Sequence, residues 1–150
     1  MASHIIDDGA LTILERFRAL ALSEGLKKKS KQYKDRRREF IIGAVTTGFR
    51  AVFGGNVHSL PAWKDLCRAV GVEGADAFTG ITQCRDSLLG KFVNIVDLVD
   101  AGTAGAVMKT GVFTSSKALG KYIRKTKKMF PREEAKANPL LRQFLIKINE

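Results

Sequence analysis

The stretch Thr79–Val99, TGITQCRDSLLGKFVNIVDLV, decides the fold class, because it reads two ways. Its apolar residues Ile81, Cys84, Leu88, Phe92, Ile95, Val96 and Val99 fall at offsets 0, 3, 7, 11, 14, 15 and 18, which is one face of an α-helix. The second half, Phe92–Val99, is rich in β-branched residues and has a strand as its alternative. Strand alternation there is poor, since Asp97 would share a face with Val93, Ile95 and Val99. The stretch reads as one helix from Thr79, and the chain with it as all-α.

Helical periodicity extends in both directions. Ala10, Ile13, Leu14, Phe17 and Ala21 line one helix face, with Asp7 or Asp8 as its cap and Gly25-Leu26 as a Schellman ending. A longer helix from Ser30 to Phe53 carries Tyr33, Phe40, Ile41, Ala44, Val45, Gly48 and Val52, and Gly54-Gly55 ends it. Ser59 caps a short helix with Pro61 in its first turn, Leu60, Trp63, Leu66, Cys67 and Val70 inward, and Gly71 as its stop. Trp63, spaced three residues from Leu60 and Leu66, is a core residue by the same pattern. The segment Gly74–Gly80 reads as a loop, and Ala101–Val112, with Gly102, Gly105 and Gly111, as a connector. Ser115 caps a helix with Leu119, Tyr122, Ile123 and Met129 on one side; Pro131 starts a new turn, and Asn138-Pro139 opens a last helix. The expectation is one domain over residues 1–150, a single compact bundle of five or six helices with short Gly- and Pro-containing connectors.

Charge is distributed unevenly. Residues 1–50 hold eleven Lys/Arg against six Asp/Glu, residues 51–100 four against six, and residues 101–150 eleven against three. Two segments carry most of the excess. Lys27–Arg38, KKKSKQYKDRRR, has eight cations in twelve residues: Lys27, Lys28, Lys29, Lys31, Lys34, Arg36, Arg37 and Arg38. A helix start so charged buries little and is expected to project. It fits a nucleic-acid-binding or nuclear-localisation arm, an anionic membrane-surface patch, or a solvated helix start. Tyr33 lies among the charges, either as a base-stacking ring or as the first core residue of its helix.

The second segment is sorted by face. Lys117, Lys121, Arg124, Lys125 and Lys128 oppose the apolar side of their helix, Lys127 lies beside them, and no acidic residue falls between Asp100 and Glu133. Lysine outnumbers arginine there, so contact with phosphate backbone is expected and little base readout.

Chemistry-bearing motifs are absent or incomplete. Ile95–Gly105 with Lys109-Thr110 lacks the spacing of a phosphate-binding loop. Gly111–Ser115 before a basic helix resembles a helix-turn-helix turn only with a one-residue slip, since Lys117 and Gly120 fall where that motif buries aliphatics. His58, Cys67 and Cys84 have no ligand spacing, and the two cysteines read as free buried thiols. Glu133-Glu134 suit a helix start, and Asp97 and Asp100 have no partner near them in sequence. No nucleophile elbow is present, and no cofactor is implied. No run approaches the roughly 20 apolar residues of a membrane span, and the N-terminus lacks signal-peptide charge, so an intracellular protein, nuclear or cytoplasmic, is expected. The function that follows is a non-enzymatic nucleic-acid-binding protein, DNA or RNA, acting through the fourteen Lys and Arg named above. The alternative is an interaction or assembly module that docks an acidic partner or a copy of itself.

Overall fold

The computed structural model describes residues 11–148, with the side chains of residues 147 and 148 left aside. Among them are eight α-helices: α1 (Ile13–Ser23), α2 (Lys31–Phe53), α3 (Leu60–Val70), α4 (Ile81–Ser87), α5 (Ile95–Ala104), α6 (Ser116–Thr126), α7 (Arg132–Ala135) and α8 (Pro139–Ile148). Two residue pairs, β1 (Phe92–Val93) and β2 (Val112–Phe113), form a small antiparallel ladder with Phe92 opposite Phe113 and Val93 opposite Val112. The chain is mostly helical, as its periodicity predicts.

Eight helices replace the expected five or six, and the stretch Thr79–Val99 supplies one of the additional helices. It is not one helix. α4 stops at Ser87, Gly90 turns the chain at φ +81°, β1 follows, and Asn94 then caps α5 by accepting from the Asp97 N–H at 3.1 Å. The apolar phase survives this break except at Phe92: Ile81 packs on the core and Cys84, Leu88, Ile95, Val96 and Val99 are buried in it, but in β1 it is Val93 that turns inward and Phe92 stays half-buried. The expected Ala101–Val112 connector shrinks for the same reason: α5 continues through Ala104. The short α7 adds the last helix.

Several caps match the sequence. Ser30, Ser59 and Ser115 each accept a backbone N–H three residues on, and the Asn138 side chain accepts from Leu140 and Leu141. Leu26 N–H reaches Ala21 and Gly25 N–H reaches Leu22, which is the Schellman pattern at the end of α1. The cap expected at Asp7 or Asp8, and Ala10 itself, lie outside the described residues; α1 begins behind Thr12, paired with Glu15 in a capping box. α6 ends at Thr126, so Met129 does not join its apolar side as the spacing predicts and is 62% exposed.

The core gathers α1, α2, α3, α5 and α8, with Trp63, Phe17, Phe49 and Phe144 fully buried. Phe49 and Phe53 belong to this core beside the stripe read from the sequence. α2 and α5 pack closely because both carry glycine at the crossing. A Cβ on Gly48 would lie 2.6 Å from Val99, and one on Gly102 would lie 2.8 Å from Val52 and Phe53. Trp63 is a core residue, as its spacing predicts, and its indole N–H donates to the Val57 carbonyl at 2.9 Å.

Candidate functional site

The two basic segments meet. Arg37, at the end of the second turn of α2, donates from Nη1 to the Lys127 carbonyl at 2.8 Å and from Nη2 to the Thr126 carbonyl at 3.2 Å. Those carbonyls belong to the C-terminal end of α6, where a helix leaves acceptors unpaired and its dipole favours a cation. The planar guanidinium fork suits two adjacent acceptors. Half-burial pulls the Arg37 pKa below its ordinary value, but a guanidinium stays charged in any protein.

Around this clasp lies a cleft of about 550 Å³, lined by Lys28, Lys29, Tyr33, Lys34, Arg37 and Lys127. Four of its cations come from the first segment and one from the second. Among the described residues no carboxylate lines it. Tyr33 packs and is accessible at once: its ring meets Phe17 at a centroid distance of 5.2 Å and 72° between planes, and it also forms part of the cleft wall. Lys29 (φ +72°) and Lys127 (φ +61°) are the only non-glycine residues with positive φ among the described residues, and both line this cleft. Left-handed backbone in a residue with a Cβ is uncommon and tends to cluster where a site is shaped.

The turn after α6 is fixed from inside as well. Lys128 does not face outward with its neighbours, as the helical wheel suggests, because α6 has ended before it. Its ammonium lies 2.7 Å from Asp97 Oδ1 and 3.3 Å from the Tyr122 hydroxyl, with only 21% of its side chain exposed. Tyr122 donates to Asp97 Oδ2 at 2.6 Å, and Asn94 Nδ2 donates to the Lys128 carbonyl at 2.9 Å. Burial alone would lower the Lys128 pKa, but the hydrogen bond and charge of Asp97, with the Tyr122 hydroxyl, hold it above the ordinary lysine value. Gly111 completes the network. Its φ is +89° and its Cβ would lie 2.5 Å from Asp97 Oδ2, so only glycine admits this approach.

The remaining cations divide. Lys31 pairs with Asp35, and Arg36 pairs with Glu24. Lys27 and Arg38 of the first segment are exposed, as are Lys117, Lys121, Arg124 and Lys125 along α6, and none has an ion pair among the described residues. Asp100, the second partnerless carboxylate in the sequence, accepts from the Ile13 N–H at 2.9 Å and so ties α5 to the start of α1. Burial, above all, raises its pKa, with the Asp97 charge adding to it. Gly111–Ser115 is no helix-turn-helix turn, since Val112–Phe113 is a strand. Among the described residues no three His, Cys, Asp or Glu gather as metal ligands, and no helix is long and apolar enough to cross a membrane. No protein-family model matches the chain, and neither a curated protein nor a solved structure does.

Proposed function

We propose that this chain is a non-enzymatic nucleic-acid-binding protein that holds phosphate backbone on one basic surface, and that it works in the nucleus or cytoplasm. One observation carries the proposal: the Arg37 clasp joins two basic segments ninety residues apart at a single cleft that no carboxylate lines among the described residues. Like charges held together in a concave site raise the local potential and are relieved by a polyanion. Of the fourteen Lys and Arg in the two segments, the best candidates for contact are the cleft residues Lys28, Lys29, Lys34 and Lys127, followed by the exposed Lys27, Arg38, Lys117, Lys121, Arg124 and Lys125. Lys31, Arg36, Arg37 and Lys128 have protein partners and serve the surface by building it.

Counterion release sets the test. Four cleft lysines on a single strand give a slope of log affinity against log salt of about −3, and steeper if α6 also engages. In Lys28→Ala/Lys34→Ala the slope should fall by roughly 1.4 to 1.8. Binding that ignores salt, or an unchanged slope in the double variant, would end the proposal.

A second reading, an assembly module, draws on a different place. Between α7 and α8 a groove of about 370 Å³ sets Ala135, Leu145 and the 47% exposed Ile146 among Arg132, Lys136 and Arg142, a match for an acidic partner with apolar side chains. Discrete oligomers that persist in high salt would favour that reading.

A further inference from the structure

Resting on the nucleic-acid reading above, we infer that the cleft between α2 and the end of α6 takes one unpaired nucleotide of a single strand, with phosphate on the lysines and base against Tyr33. Its shape is the first reason. A cleft of about 550 Å³ falls within the range of pockets that bury a small molecule, whereas a duplex offers a convex backbone with its bases paired inward. Phosphates of either form can reach these lysines, but only an unpaired base can also lay its face against an aromatic ring beside them.

The second reason is the wall itself. Tyr33 is the one aromatic residue lining the cleft among the described residues, and Lys28, Lys29, Lys34 and Lys127 lie around it. An aromatic ring within a basic groove is the arrangement that holds single strands, since every base has a π-face to stack. Tyr33 is also held in place before any ligand arrives. Its N–H donates to the Ser30 hydroxyl at 3.0 Å in the cap of α2, and its ring rests against Phe17. A ring already ordered loses little freedom on binding. Besides the Tyr33 hydroxyl, the lining offers four ammonium groups and one guanidinium already committed to α6, so base edges meet no free fork and recognition is sequence-tolerant.

The experiment changes the ligand before it changes the protein. Binding of the full chain at low salt is measured for an oligothymidylate, an abasic strand of the same length, and a duplex matched in charge. Loss of the bases should weaken single-strand binding by about fivefold or more, and the duplex should bind no better than the abasic strand. Tyr33→Leu should bring the intact strand down to the abasic level and leave abasic binding unchanged, while Tyr33→Phe keeps the preference. Equal, salt-dependent binding of intact and abasic strands would overturn the inference and leave the backbone-binding proposal in place. Absence of salt-dependent binding to all three would overturn both. Because the abasic comparison uses the unaltered protein, a Tyr33→Leu chain that fails to fold does not blunt the test.

Discussion

Arg37 closes the end of α6 by donating to the Lys127 carbonyl at 2.8 Å, so a side chain from one basic segment fixes the main chain of the other. Replacing it with Met leaves the Thr126 and Lys127 carbonyls without their partner. The expected loss is about 1–2 kcal/mol, since the site is only half-buried and water can partly substitute. For a chain of this size that corresponds to a fall in Tm of about 2–8 °C. The salt slope of binding should drop by more than one cation's share, because Lys127 is then no longer held at the cleft. A melting curve that does not move would remove the clasp from the architecture.

The inward-facing Lys128 and the outward-facing Lys121 make a matched contrast. Asp97→Asn leaves the Lys128 ammonium largely covered and without its carboxylate, at a cost of about 2–4 kcal/mol. Asp97→Asn/Lys128→Met should recover part of that loss. Lys121→Ala should change stability by less than about 0.5 kcal/mol yet take roughly 0.7 to 0.9 from the salt slope. Urea denaturation and salt titration on the same variants separate the two behaviours; a double-mutant coupling near zero would contradict the Asp97–Lys128 pair.

Asp100 gives a pH dependence of definite sign. Its folded pKa is raised from 3.8, so the native chain holds this proton more tightly than the unfolded one. Its contribution is therefore fully present below the unfolded value and is lost as pH rises through the folded value. Asp100→Asn keeps an acceptor oxygen for the Ile13 N–H and removes the titrating charge. At pH 7 the variant should be at least as stable as the parent, and its stability should fall less steeply above pH 4. Denaturation midpoints across that interval decide it, and a variant clearly weaker at pH 7 would refute it.

Cys67 and Cys84 are both fully buried. Burial pushes the Cys67 thiol up from 9.0 to about 11, with the Ser87 hydroxyl opposing only in part. Both thiols should resist a disulfide reagent at pH 8 until the chain is unfolded in urea. Because the folded pKa is the higher one, the Cys67 contribution to stability disappears as pH climbs from about 9 to about 11. Prompt reaction of either thiol in the native chain would contradict this burial.

What could be read from the sequence was local. Ser30, Ser59, Ser115 and Asn138 announce their helices because a cap bonds to an N–H within three residues, and Gly25-Leu26 closes its helix by bonds within one turn. Thr79–Val99 misleads because the two helices within it present their apolar sides to the same core, so the helical phase runs on across Gly90 and Asn94. Asn94 was a cap in plain view, but its β-branched surroundings hid it. The site is less legible still. The Asp97–Lys128 pair spans 31 residues and the Arg37–Lys127 clasp spans 90, and no periodicity reaches that far. Tyr33 alone carried a signal, an aromatic ring set within a run of cations.

Lys29 and Lys127 turn the chain in the left-handed region, where glycine would rest without strain. Lys127→Gly should raise stability by up to about 1 kcal/mol while leaving the carbonyl that Arg37 grips, and it should weaken polyanion binding. Selection for thermal endurance alone would thus strip charge from the cleft one lysine at a time. Variants recovered from a heat-challenge library without a binding requirement should carry glycine at these two positions, and variants recovered with one should not.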